Sequence, residues 1–242
     1  MENGPADAGW CGDLLCAVEG KQGLDEVFGI IDAAARSLGF EYCAFGTRRP
    51  LPLTRAPVWL CSSYPTAWRQ RYAQAGYVDV DPVVRHGVRS EAPQVWSDAF
   101  FAQAPQLWDE ARAAGLRHGW AQSSLDCVGV GSLLTLSRSA EPLTASELAH
   151  KQARLRGLVQ IAHVALGRAL AAAEQAPPAA LTEREKDILR LTASGMTAER
   201  IAARLLVSVH TVHFHLKNCA AKLQTANRPS MVARALVLRL LD

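Results

Sequence analysis

Residues 208–223 read SVHTVHFHLKNCAAKL, and two faces of one helix are legible in them. Ser208 is the kind of residue that caps a helix N-terminus. From it Val209, Val212, Leu216, Cys219 and Leu223 recur at alternating steps of three and four, which puts them on one stripe expected to be buried. His210, His213, Phe214 and Lys217 recur on the opposite face, a basic and aromatic ridge with nothing of its own to pack against. A helix that enters the major groove of DNA presents such a ridge.

The flanking residues agree. Thr182 and Glu185 have capping-box spacing and open a helix through Ser194, with Ile188, Leu189 and Leu191 facing a core; Gly195 then stands where a helix end favours glycine. Thr197 starts a short helix carrying Ile201 and Leu205, and only a few residues separate it from Ser208, the tight connection of a helix-turn-helix. After Arg228, Pro229 suits a first helical turn, and Val232, Ala235, Leu236 and Leu240 supply an apolar face for a closing helix. An all-α, four-helix, helix-turn-helix domain is therefore expected over residues 181–242, large enough to fold alone.

Charge divides the chain at the same place. From Leu181 onward ten Lys and Arg face five acids, a net of +5, whereas the first 180 residues carry 16 basic and 18 acidic side chains. The overall +3 hides a basic excess where phosphate contacts would be needed. Just before it, residues 169–180 read ALAAAEQAPPAA, and Pro177-Pro178 stops a helix and stiffens a linker. The expected division is 1–174, a linker at 175–180, and 181–242.

The N-terminal part alternates helix and strand signals. Leu24, Val27, Phe28, Ile31, Ala35 and Leu38 form a helical stripe ending at Gly39. Residues 40–47 and 128–136 read as strands, with 58–62 a weaker third. Thr144 with Glu147 opens a long helix through Leu148, Leu155, Leu158, Ile161 and Ala165 toward Ala173. An α+β fold is expected, with an N-terminal α/β/α sandwich around an antiparallel sheet. The long helix exceeds what such a sandwich needs, which points to contact with a second copy.

Other classes find little support. No apolar run approaches the ~20 residues of a membrane span and the first residues lack signal-peptide order, so a cytoplasmic protein is expected. The six cysteines have no metal-ligand spacing with His and are expected to be buried free thiols, with no cofactor and no metal. There is no GxSxG, HExxH or Walker A motif, so no enzyme is expected, and Gly129-x-Gly131 is too weak to count. A phosphoacceptor receiver would need acids at a strand end, and neither Asp7 nor Asp13 follows one.

All six Trp, all four Tyr and five of six Phe precede the linker. Such side chains suit a pocket for a ligand that is mostly apolar with a few polar atoms. Tyr64, Trp68 and Tyr72 recur every four residues and would line one helix face, although that periodicity alone favours core, and Asp81 beside Pro82 reads equally as a turn residue.

Two sets of motifs carry a resemblance. Leu181-Thr182-Glu183-Arg184-Glu185, Gly195-Met196-Thr197, Ile201-Ala202, Leu205, Ser208, Thr211-Val212, His215, Asn218 and Lys222-Leu223 resemble the DNA-binding domain of LuxR-type regulators. Tyr64-Pro65, Trp68, Tyr72, Gly76-Tyr77, Asp81-Pro82, Trp96 and 115–119 are similar to the autoinducer-binding domain of LuxR-type quorum-sensing receptors; Phe45-Gly46, 85–87 and 117–120 look closest to the QscR-like orphan receptors. The resemblance implies a dimeric transcription regulator that binds an N-acyl-homoserine lactone and dyad-symmetric promoter DNA, with RNA polymerase as a further partner. A regulator of this fold answering to a non-lactone small molecule is the alternative.

Carried over by position, Trp68 would donate to the lactone carbonyl, Asp81 would accept from the ligand amide, and Tyr64 would donate to the acyl carbonyl. Tyr72 would pack along the ligand and Trp96 would wall the lactone ring. Thr135 occupies a strand position for a Ser or Thr hydroxyl, and Ala44 stands where a serine is usual. A partnerless Asp81 and pocket would make folding depend on the ligand. On the DNA side His213, Phe214 and Lys217 would reach base edges with Ser208 and His210 beside them, while Lys222, Arg228 and the N–H groups near Thr197 would meet phosphates.

Overall fold

A computed structural model of the 242-residue chain describes residues 4–48, 58–125, 131–173, 180–238 and 240–241. They form two compact units, one before and one after residues 174–179. The linker expected at 175–180 therefore lies, except for its last residue, outside the described residues, as do Cys127 and residues 128–130 of the strand expected at 128–136.

In the first unit α1 (Gly4–Val18) and α2 (Leu24–Ser37) precede β1 (Tyr42–Arg48) and β2 (Val58–Ser62). Then come α3 (Thr66–Gln74), a 3-10 turn (Tyr77–Asp79), α4 (Pro82–Gly87), β3 (Gln94–Val95), α5 (Pro105–Ala113), β4 (His118–Leu125), β5 (Gly131–Arg138) and α6 (Ala145–Ala173). The strands make one antiparallel sheet in the order β2-β1-β5-β4-β3.

Register sorts the side chains into two layers, because alternate residues point to opposite faces. Cys43 and Phe45 of β1, Leu134 and Leu136 of β5 and Trp120 of β4 pack with α1, α2 and α6 into one core. Val27, Ile31 and Ala35 supply the buried stripe of α2, and Gly39 ends the helix region at φ 84°, a left-handed conformation that costs glycine little. The opposite face carries small residues: Ala44 and Gly46 of β1, Thr135 and Ser137 of β5, Gly119, Ala121 and Ser123 of β4. Over it lies a second core from α3 to α5, containing Trp68, Tyr77, Phe101, Leu107 and Trp108. Helices thus cover both faces of the antiparallel sheet.

Thr144 opens α6 as expected, its Oγ1 accepting from Glu147 N at 3.1 Å, while the Glu147 carboxylate binds Arg138 at 2.7 Å and Lys151 at 2.6 Å. One local reading needs correction. Of the cysteines expected to be buried, Cys16 is exposed while Cys43 and Cys219 are buried.

The second unit contains α7 (Glu183–Ala193), α8 (Ala198–Leu205), α9 (Val209–Lys222) and α10 (Arg228–Val237). Thr182 and Glu185 form a reciprocal capping box, and Thr197, Ser208 and Asn227 cap the next three helices with their side-chain oxygens. Ile188, Leu189, Ile201, Val212, Leu216, Cys219, Leu223, Met231 and Ala235 make its core. Val209, expected in the buried stripe, stands at the first residue of α9 and is 36% exposed.

Candidate functional site

The aromatic site is assembled around Asp81. Asp81 caps α4: its Oδ1 accepts from Val83 N at 2.8 Å, which also explains the adjacent Pro82 in the first helical turn. Its Oδ2 accepts from the Tyr72 hydroxyl at 2.9 Å. The carboxylate expected to lack partners therefore has two, one fixed by the backbone and one by a side chain a helix away. Burial pushes its pKa above the ordinary 3.8, against the opposing pull of the Val83 N–H and the Tyr72 hydroxyl.

Helical spacing brings Trp68 and Tyr72 together, with ring centroids 5.9 Å apart, and Tyr77 closes the trio at 6.1 Å from Trp68 and 5.9 Å from Tyr72. Tyr64 precedes the helix and packs on Tyr42 at 6.1 Å; its hydroxyl sits beside Ser137 and feels Asp81 electrostatically, and burial is the main reason its pKa rises. Burial likewise raises Tyr72, reinforced by the Asp81 charge. Both phenols thus stay protonated as donors.

Trp96 approaches from the other side, edge-on to Phe101 and Trp108. Gly119 makes room for it, since a Cβ there would penetrate the indole. Thr135 is buried in the middle of the small-residue face, paired across the sheet with Ala44 and Ala121. Trp68, Tyr72 and Asp81 are hence directly connected, Tyr64 lies close enough to feel the Asp81 charge, and Trp96 and Thr135 border the same sheet face. The arrangement offers phenol and indole donors and one carboxylate acceptor between an aromatic roof and a floor of small side chains. It suits a ligand with several acceptors, at least one donor and an apolar remainder. Among the described residues no group of three metal-ligating side chains forms.

Sequence spacing did not single out Tyr42, Phe101, Trp108 or the role of Gly119. The last was findable only through register, which sets it opposite Ser137.

In the second unit His210, His213, Phe214 and Lys217 are exposed along one side of α9, Phe214 at 56%. Exposed Arg228 begins α10, Thr197 caps α8, and the charges of His213 and Arg228 help hold Glu199 below the usual carboxylate range, behind the hydrogen bonds Glu199 accepts from its own backbone and Thr197. Lys222 is engaged differently from the phosphate contact expected of it. Its Nζ donates to buried Glu185 at 2.7 Å and to the Ala180 carbonyl at 3.1 Å. Burial works against ionisation of Glu185 and is outweighed by Lys222 and the Thr182 N–H, so its pKa falls. Lys222 is a fastener of this unit, because a buried carboxylate needs its cation.

Comparison with known proteins gives two family matches. Residues 23–166 match the model described as autoinducer binding domain, and residues 179–235 the model described as bacterial regulatory proteins, luxR family. The transcriptional activator protein AnoR of Acinetobacter nosocomialis is 39% identical over 235 residues, covering 96% of this chain and 99% of AnoR. A solved structure of SdiA in complex with octanoyl-rac-glycerol matches with a TM-score of 0.82 at 32% identity, over 95% of this chain and 94% of that one. The N-acylhomoserine-lactone-dependent factor CepR2 of Burkholderia cenocepacia matches with a TM-score of 0.63 at 33% identity, over 68% of this chain and 97% of that one.

Proposed function

The chain belongs to the LuxR-type family of quorum-sensing transcription regulators, and we propose that its N-acyl-homoserine lactone signal binds between the α3 to α5 aromatics and the small-residue face of the sheet. The observation that carries this is the Tyr72–Asp81 hydrogen bond at 2.9 Å with Trp68 against Tyr72. It holds a carboxylate in a fixed orientation where the ligand amide N–H can take one of its free lone pairs. Tyr64 donates to the acyl carbonyl, Trp68 to the lactone carbonyl, and Thr135 borders the acyl chain with Ala44 beside it.

The division 1–174, 175–180 and 181–242 is the domain organisation we adopt. The protein acts as a homodimer on dyad-symmetric DNA in the cytoplasm, with RNA polymerase as its functional partner and no chemistry of its own. His213, Phe214 and Lys217 read base edges with Ser208 and His210 beside them; Arg228 and the α8 N-terminus at Thr197 meet phosphates. Among the described residues no helix is long and apolar enough to cross a membrane.

One observation favours a second ligand class. Asp81 already has two donors, so it does not require an amide, and SdiA is solved with octanoyl-rac-glycerol, whose hydroxyls could also donate. Mass spectrometry of ligand extracted from the protein after expression with acyl-homoserine lactones and monoacylglycerols decides. Retention of a lactone supports the first reading; retention of acylglycerol alone supports the second.

A further inference from the structure

We propose that the indole N–H of Trp96 is a ligand donor whose acceptor is the ring ester of the signal head group, which makes Trp96 a specificity residue beyond its role as a wall. The proposal rests on the lactone reading above. Trp96 Nε1 is buried, and among the described residues nothing accepts from it. An indole nitrogen only donates, so once removed from water it either meets an acceptor or goes unsatisfied. Trp108, whose ring lies 6.1 Å from it, shows the satisfied alternative: its Nε1 donates to Asp98 at 2.6 Å.

Trp96 cannot easily turn to find a partner. Its backbone N–H donates to the Gly119 carbonyl at 2.8 Å, its ring fills the space that Gly119 leaves by lacking a Cβ, and Phe101 stands edge-on at 5.7 Å. Gly119 pairs across the sheet with Ser137, beside which the Tyr64 hydroxyl lies, and Tyr64 in turn senses Asp81. The Trp96 ring therefore lies over Gly119 on the sheet face that also carries Ser137, which the Tyr64 hydroxyl reaches. A lactone head group meets that inventory: its amide N–H serves Asp81, its amide carbonyl Tyr64, and its ester, with a carbonyl and a ring oxygen, has acceptor capacity for both Trp68 and Trp96.

The test is a cycle on the full chain, by calorimetry, with N-octanoyl-homoserine lactone and the cyclopentylamide that lacks the whole ester, on wild type and Trp96→Phe. Phenylalanine keeps an aromatic ring over Gly119 and removes the N–H. Loss of the ester is expected to cost wild type about three- to tenfold more than it costs Trp96→Phe. Analogues keeping only the ring oxygen or only the carbonyl then identify the atom. If the variant does not fold, the indole proton resonances of 15N-tryptophan-labelled wild type replace it. One indole N–H that shifts downfield with the lactone and not with the cyclopentylamide, and that is not Trp68 by its loss in Trp68→Phe, supports the assignment. Binding with equal ester dependence in both proteins, or no second ester-dependent indole shift, overturns it while leaving the lactone site intact. If neither compound binds wild type, the lactone reading itself fails and this inference with it.

Discussion

Gly119 and Asp81 show how single positions set the site. At Gly119 a β-carbon would collide with the rigid Trp96 ring, which is clamped by Phe101 and Trp108 and cannot yield cheaply. Gly119→Ala is expected to cost about 1 to 3 kcal/mol of stability in the first unit and to weaken ligand binding with it; chemical denaturation and calorimetry on the same variant check both. A variant as stable as wild type would mean that Trp96 repacks freely. Asp81 was legible in the sequence as either turn residue or ligand contact, and the geometry bears out the first: one carboxylate oxygen caps α4 while the other holds Tyr72, and the ligand contact is the proposal tested below.

Between elements, buried or half-buried ion pairs do the fastening. Glu185 at the start of α7 is 3% exposed at its side chain and is neutralised by Lys222 at the end of α9. Lys222→Ala should therefore lower the stability of the second unit by about 1.5 to 3 kcal/mol. Adding Glu185→Gln should recover part of that loss, since no charge is then left buried. Thermal melting of the three proteins is the check, and additive losses would contradict the pair. In the first unit Glu147 of α6 binds Arg138 of β5. The Arg138 hydrogen bond is the chief reason its pKa drops from 4.5 to about 2. A carboxylate with a depressed folded-state pKa stabilises fully above its unfolded value and loses that contribution as protons bind. Melting temperature should thus fall between pH 4.5 and about 2 more steeply in wild type than in Glu147→Gln; parallel curves would remove Glu147 from the account.

Across the whole molecule, the second unit was the more legible, because its helices bury one stripe each and announce their ends with Thr182, Thr197, Ser208 and Gly195. What sequence could not give was Lys222, whose partner lies 37 residues away, or the exposure of Val209. In the first unit, β4 escaped notice because it is covered on both faces and carries Gly119, Ser123 and Ser124 rather than an apolar alternation. α1 also escaped, with a Gly-Pro start and two further glycines that read as loop. The site inherits the same difficulty: its aromatic roof is visible as spacing, while its floor of small residues exists only through strand register.

The proposed reading surface and the proposed signal site each have a test. Lys217→Ala should cost roughly 1 to 3 kcal/mol on the preferred DNA site and flatten discrimination at one base position, whereas Arg228→Ala should weaken all sequences alike and reduce the salt slope by about one per subunit. Titrations on wild-type and single-base-variant sites at several salt concentrations separate them; uniform weakening by Lys217→Ala would move the reading surface elsewhere. The central claim is that Asp81 receives the ligand amide. Calorimetric titration of N-octanoyl-homoserine lactone into the full chain and into Asp81→Asn tests it most directly, since asparagine can keep the Val83 cap while losing the charge. An affinity loss of about tenfold or more in a variant that remains folded is the predicted result; equal affinity in the two proteins would contradict the account.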